Sequence, residues 1–313
     1  MRSPFDKVNL SRLCRLFGGT LCPEAEVPVE PTIQIRDLSV KFGNFTAVNR
    51  LTLDVMPGEL FGFLGPNGAG KTTTIRVLIG GQRPSGGTVN VAGFRIPAGF
   101  EKAKPLFGYV PDTENHVEEF TGRENLDLFA RLYRAPLSRV DELLGKLELS
   151  DAADVAVRSY SKGMRRKLLI ARELLHSPRI LYLDEPTANL DAHSTELVRN
   201  LLRDLGKDGV TVFLTTHNME EVEQICDRVA ILCKGELVEC DTPTNFVTRH
   251  ATRVVAATFE REGQVMREAL DLDIEEQRNR LAAVIQEEQC VRVHSQEFDF
   301  EDVFLKLTGQ AYA

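Results

Sequence analysis

Residues 65–73 constrain this chain more than any other stretch. They read Gly65-Pro66-Asn67-Gly68-Ala69-Gly70-Lys71-Thr72-Thr73, which fits the phosphate-binding loop pattern G-x-x-x-x-G-K-[ST]. The flanks agree with it. Glu59 to Leu64 is a mostly apolar run suited to a buried parallel strand, and Thr74 to Ile79 continues as a helix until Gly80-Gly81. In such a turn successive backbone N–H groups form a concave anion site, and the helix N-terminus behind it adds partial positive charge. Gly65, Gly68 and Gly70 leave the backbone free to curl around a phosphate. Lys71 supplies a point charge to the β- and γ-phosphates, and Thr72 offers a hydroxyl to Mg²⁺.

The rest of the chain is that of a soluble globular protein. It has 313 residues, 42% hydrophobic and 27% charged, enough for one large domain with a small appendage. No apolar run approaches the roughly 20 residues of a membrane-spanning helix. Arg2 and Lys7 lack the continuous apolar core of a signal peptide. The six cysteines include no C-x-x-C pair and read as reduced cytoplasmic thiols. A net charge of −8 argues against a broad nucleic-acid-binding surface, though not against a local basic patch.

Residues 1–31 read as an N-terminal extension, part helix and part tether, with prolines at 23, 28 and 31. Ile33, Ile35, Leu38 and Val40 suggest a strand, and Val48, Leu51, Leu53 and Val55 a second, turned at Gly43-Asn44. Strands are also expected at Thr88–Val91, Phe107–Val110, Arg179–Leu183 and Val210–Leu214. Residues 112–165 are expected to be mostly helical, an insertion between strands of the nucleotide-binding sheet. From about residue 248 the pattern reads as a small α+β domain reaching residue 313. Its elements are a strand at Val254–Phe259, a largely helical Gln264–Gln289, a short strand at Val291–Val293, and a helix from Phe298 to Leu307 with Asp299 as its cap.

In an open α/β sheet, ligands bind at the carboxyl ends of the strands. The phosphate loop, Asp184-Glu185 and His217 all fall there. Asp184 follows Ile180-Leu181-Tyr182-Leu183, as a Walker B aspartate does, and its role is to hold Mg²⁺ opposite Thr72. Glu185 is placed to polarise the attacking water as general base.

Gly65 to Thr72, Asp184-Glu185-Pro186-Thr187 and Thr215-Thr216-His217, in that order, resemble the ATP-binding subunit of an ABC transporter over roughly residues 32–245 (residues 32–247 as a domain). The resemblance implies a P-loop NTPase sheet with an antiparallel β subdomain and a helical insertion. It also implies two cassettes meeting head to tail, with each ATP between the phosphate loop of one and a signature loop of the other. Tyr160-Ser161-Lys162-Gly163-Met164 stands where the family usually has Leu-Ser-Gly-Gly-Gln, a degenerate form that keeps Ser161 and Gly163. Lys162 adds a cation there, and Arg165, Arg166 and Lys167 read mainly as a solvated basic helix start. Asp112 replaces the family's usual glutamine, a shorter and anionic side chain at a position that couples ATP to the membrane partner. Phe42 matches the aromatic that stacks on adenine, with Phe45 as competitor and core packing as the plain alternative for both. Asp191 ends a segment resembling the loop that connects the two ATP sites. His217 is expected to bond the γ-phosphate and hold Glu185 and water in line.

The function implied is ATP hydrolysis, with Mg²⁺, coupled to transport through a separate membrane-spanning permease, the chain lying at the cytoplasmic face of the membrane. Thr121 to Leu126, the Tyr-Ser-Lys-Gly-Met signature and Phe300-Glu301-Asp302-Val303-Phe304 resemble the exporter branch that includes drug and lipid efflux subunits. The dimer is homo- or heteromeric. Two rivals stand beside this: a soluble ABC ATPase acting on ribosomes or DNA, and a nucleotide-gated module without turnover. Glu185 and His217 argue against the second.

Overall fold

The computed structural model describes residues 30–250, 254–261, 264–286, 290–295 and 299–309. The N-terminal extension therefore lies outside the described residues, except for Glu30 and Pro31. In chain order the main body runs β1 (Ile33–Phe42), β2 (Phe45–Val55), β3 (Leu60–Leu64), α1 (Lys71–Leu78), β4 (Gly86–Val91), β5 (Phe94–Ile96), β6 (Phe107–Val110), α2 (Gly122–Tyr133), α3 (Ser138–Lys146) and α4 (Lys162–Leu174). It continues with β7 (Ile180–Asp184), α5 (Ala192–Lys207), β8 (Thr211–Thr215), α6 (Met219–Ile225), β9 (Arg228–Cys233), β10 (Glu236–Asp241) and α7 (Pro243–His250).

The central sheet has the order β10-β9-β3-β8-β7-β6, and its strands from β9 to β6 pair in parallel. β3, β7 and β8 are buried along their whole length, as expected for parallel strands covered on both faces. Alternate residues therefore enter different cores. Phe61, Phe63, Tyr182 and Phe213 join the cores of β1, β2, β4 and α1. Leu60, Leu64, Leu181, Leu183, Val212 and Leu214 join the helices of the insertion and the far face. Phe213 is the hub of the first set, with ring centroids 5.6 Å from Phe61, 5.1 Å from Phe63 and 5.9 Å from Tyr182. Such aromatic pairs add to simple area burial.

A second, antiparallel sheet has the order β2-β1-β4-β5. The expected hairpin is present: Phe42 pairs with Phe45 around Gly43-Asn44, and Gly43 takes the positive φ of 58° that such a turn favours. This sheet brings Phe42, Phe45 and Ala47 to the phosphate loop.

The insertion is less helical at its start than its composition suggests. Residues 111–120 form irregular chain, and α2 begins only after Thr121. Thr121 and Glu124 close a capping box there, satisfying two helix-end donors reciprocally. The buried Asn125 side chain accepts from Val117 N and donates to the Val117 and Thr121 carbonyls, so the irregular segment is anchored from α2.

Beyond α7 lie β11 (Val254–Arg261), β12 (Gln264–Asp271), α8 (Glu275–Gln286), β13 (Cys290–Ser295) and α9 (Phe300–Thr308). The expectation of a largely helical Gln264–Gln289 is corrected here. Gln264–Asp271 is a strand, antiparallel to β11 in unbroken register from Arg261↔Gln264 to Val254↔Asp271. Its Gln, Met, Arg, Glu, Ala and Leu are good helix formers, but strand pairing overrides that weak preference. Two residues, Glu262-Gly263 in the sequence, separate the strands, and a two-residue link with Gly is a hairpin signal. The sheet, ordered β12-β11-β13, and α8 keep a small core of Ala257, Phe259, Leu270 and Val284. The α9 helix, capped by Asp299 as expected, goes elsewhere. Its Phe300, Val303 and Phe304 are fully buried in the core of the main body, and Phe300 meets Phe246 of α7 edge to face at 5.5 Å.

Candidate active site

The loop 65–70 joins β3 to α1 at the carboxyl edge of the central sheet. Two of its glycines are fixed by space. A Cβ on Gly65 would lie 2.5 Å from the Leu232 carbonyl oxygen, and one on Gly70 would lie 2.5 Å from the Ala47 carbonyl oxygen. Gly70 also holds a φ of 105°, which L side chains rarely adopt. Lys71 Nζ donates to the Gly65 carbonyl at 2.5 Å, so the ammonium folds back over the loop it serves. Burial pushes its pKa down, and the Glu185 and Asp184 carboxylates pull it back up.

A cleft of about 380 Å³ opens over this loop, lined by Phe42, Phe45, Ala47, Asn67, Gly68, Ala69, Gly70, Lys71, Thr72, Thr73, Asp112, Asp184 and Glu185. The sequence-predicted groups thus meet. Thr72 Oγ1 lies 3.4 Å from Asp184 Oδ2, and Thr215 Oγ1 donates to Asp184 Oδ1. His217 Nδ1 lies 2.7 Å from Glu185 Oε2. Glu185 stands at φ 53°, and its N–H donates to the Thr215 carbonyl at 2.9 Å. A non-glycine residue held in this region is over-determined by its surroundings, a feature concentrated at active sites.

The fit to magnesium is tested by the Thr72–Asp184 pair. Mg²⁺ in nucleotide sites takes one or two protein oxygens and leaves the rest to phosphate and water. Thr72 Oγ1 and Asp184 Oδ2, adjacent and facing the cleft, are such a pair, while Thr215 orients the other Asp184 oxygen.

Ser161, Lys162, Gly163 and Asp191 do not line this cleft. Ser161 is the N-cap of α4, accepting from Met164 N at 3.1 Å. Asp191 caps α5, accepting from Ser194 N at 2.8 Å and Ser194 Oγ at 2.9 Å. The two caps are neighbours: a Cβ on Gly163 would lie 3.4 Å from Leu190 Cδ2 and 4.0 Å from Asp191 Oδ2. Asp112 and both phenylalanines reach the cleft, with Phe42 49% and Phe45 62% exposed, so neither is core packing.

The basic start of α4 is not the solvated run its composition suggests. Lys162 is exposed and Arg165 pairs with Glu118 at 3.0 Å, but Arg166 and Lys167 are buried. Arg166 opens a run, Arg166 to Leu174, that is buried on every face of the helix, so helical spacing does not single it out. Its guanidinium donates to the carbonyls of Pro111, Asp184, Glu185 and Pro186, the last two at 2.6 and 3.3 Å.

Glu221 was also missed. It is fully buried on α6, and neither carboxyl oxygen closes a hydrogen bond of ordinary geometry. Burial raises its pKa; the Thr216 and Thr187 hydroxyls and Arg199 oppose this, while the Glu185 carboxylate adds to it. The folded chain therefore holds this proton more tightly than the unfolded one. Stability falls as pH rises above the unfolded carboxyl's range and levels off above the folded pKa. Replacing Glu221 by Gln removes that loss. Thermal melts are expected to show a gain of about 2–4 °C at pH 8 and a smaller one at pH 5; equal gains at both pH values refute this assignment.

A strand–loop–helix phosphate cradle, a hydroxyl–carboxylate pair for a metal and a carboxylate–histidine pair on one sheet edge define a nucleotide-hydrolysing cassette. A family profile described as ABC transporter matches residues 48–188. The Nod factor export ATP-binding protein I of Cupriavidus metallidurans is 35% identical over 89% of this chain and 97% of its own length. The fluoroquinolones export ATP-binding protein of Mycobacterium tuberculosis is 34% identical over 89% of this chain and 93% of its own. Among solved structures, an ATP-binding subunit of an ABC transporter shares 28% identity with a TM-score of 0.65, covering 70% of this chain and 92% of that one. A dimeric cassette in a post-hydrolysis state, bound to ADP and Pi, shares 25% identity with a TM-score of 0.61, covering 67% and 98%. The chain belongs to the ATP-binding proteins of the ABC transporter family. It is an ATPase, and none of these likenesses supports the nucleic-acid reading.

Proposed function

We propose that this chain is the motor of an exporter, hydrolysing ATP between two cassettes and passing the motion to a separate membrane-spanning permease at the cytoplasmic face of the membrane. Among the described residues no helix is long and apolar enough to cross a membrane, so movement of a cargo needs such a partner. The two relatives named above are export proteins with different cargoes by name, which supports a reading in which the permease selects the cargo.

In this reading the loop 65–73 and Lys71 hold the β- and γ-phosphates, and Phe42 stacks on adenine, with Phe45 beside it. Thr72 and Asp184 hold Mg²⁺, which neutralises phosphate charge when bound. Glu185 takes the proton of the attacking water, and His217 fixes the Glu185 carboxylate and meets the γ-phosphate. Asp112 faces the same cleft as the link to the permease. Ser161, Lys162 and Gly163 complete the site of the opposite cassette, and Asp191 joins the two sites. The observation that carries the reading is the 2.7 Å His217–Glu185 contact at the same sheet edge as the Thr72–Asp184 pair.

The test is purification with the co-expressed permease, reconstitution into vesicles, and measurement of phosphate release and of fluoroquinolone movement. Mg-ATP-dependent transport supports export. A complex that never releases phosphate ends the proposal.

A further inference from the structure

Four backbone carbonyls, from Pro111, Asp184, Glu185 and Pro186, converge on one side chain, Arg166. These carbonyls belong to two separate segments. Pro111 ends the chain leaving β6 and precedes Asp112; Asp184 to Pro186 leave β7 and include the base and the metal-facing aspartate. Arg166 itself comes from a third place, the first turns of α4, just past the Ser161 cap. Only 4% of it is exposed, and its guanidinium donates to these four backbone carbonyl oxygens.

A buried guanidinium spent on backbone carbonyls fixes the peptides that bear them. Its planar fork suits several acceptors at once, which a lysine ammonium on a flexible stem does not. One of the carbonyls it holds belongs to a residue with positive φ. Glu185 has φ 53°, and this conformation aims its carboxylate at the cleft and at His217. The segment 111–120 is tied to α4 at further points: Arg172 Nη1 donates to the Asn115 carbonyl at 3.3 Å, and His116 Nε2 lies 2.9 Å from the Arg165 carbonyl. Arg166 thus joins α4 to the Glu185 backbone directly.

We propose that Arg166 is a positioning residue for hydrolysis: from the signature helix it holds the Asp184–Pro186 turn and Pro111 in one frame, and so sets the aim of the Glu185 carboxylate. This rests on the reading of Glu185 as the base. The side chain touches no reacting atom; it acts through the backbone of the residue that does.

The experiment compares full-length Arg166→Lys, Glu185→Gln and the double variant for steady-state phosphate release and for binding of a fluorescent ATP analogue. Arg166→Lys is expected to lower kcat on the order of 100-fold, with the KM for ATP and analogue binding within about threefold of the parent. Charge alone does not rescue it, because the fork is what is lost. In the Glu185→Gln background the same change is expected to cost nothing further, since the route proposed for it, the aim of the Glu185 carboxylate, is already gone. Parental turnover in Arg166→Lys overturns the proposal. So does a loss of turnover that tracks lost analogue binding, or losses that multiply in the double variant, because Arg166 then supports the fold at large. Full turnover in Glu185→Gln alone removes the base itself and this inference with it; a dead Glu185→Gln beside a normal Arg166→Lys removes only this inference.

Discussion

Glu185→Gln is expected to lower phosphate release by 10²–10⁴-fold, the usual range for loss of a general base, while Mg-ATP still binds. The amide keeps the size of the side chain and can still meet His217, so the 2.7 Å contact need not be lost. What it lacks is basicity. The Thr72–Asp184 pair is untouched, because Asp184 is held by Thr215 and faces Thr72 without help from the Glu185 side chain. The cleft lining is otherwise unchanged, so the affinity for ATP is expected to hold within a few-fold. Rapid-quench measurement of phosphate release, alongside binding of a fluorescent ATP analogue, checks both halves. Unchanged turnover refutes the assigned base; turnover lost together with binding points to a collapsed cleft.

Mixing two inactive variants is expected to restore activity. Lys71→Ala removes the charge over the phosphate loop, and Ser161→Arg fills the signature with a bulky cation. Each pure preparation should be dead if every site draws the loop from one copy and the signature from the other. In a mixed head-to-tail dimer one site carries both lesions and the other carries neither. With random pairing of a homodimer and independent sites, half the dimers are mixed and each keeps one of two sites, so about a quarter of parental turnover returns. The separation seen in one chain motivates this: Ser161 and Gly163 sit by the Asp191 cap and not on the cleft that holds Lys71. No recovery across mixing ratios would mean that a single chain supplies both halves, or that copies of this chain do not pair with each other.

What the sequence discloses and what it withholds follow a physical division. The phosphate loop is legible because its chemistry is local. Glycine is required where backbone comes within 2.5 Å of a would-be Cβ at Gly65 and Gly70, and no other residue type serves. Asp184 and Glu185 are legible because an apolar strand that ends in two acids is costly unless the acids have work to do. Arg166 was hidden because charge argues for solvent, while its partners are carbonyls that exist at every position and leave no trace in composition. The β12 strand was hidden because its residues favour helix in isolation and its partner strand decides otherwise. The destination of α9 was hidden as well. An amphipathic face announces that Phe300, Val303 and Phe304 will be buried, but not which core receives them.

That last point governs how the chain can be shortened. The three-stranded sheet and α8 lie between α7 and α9, two helices that belong to the main body and touch through Phe246 and Phe300. The small sheet is thus a cartridge clipped in at both ends rather than a tail. Trimming inward from the C-terminus strips two phenylalanines from the motor's interior before it reaches the first residue of that sheet. A deletion meant to ask what the sheet contributes must cut it out internally and splice α7 to α9.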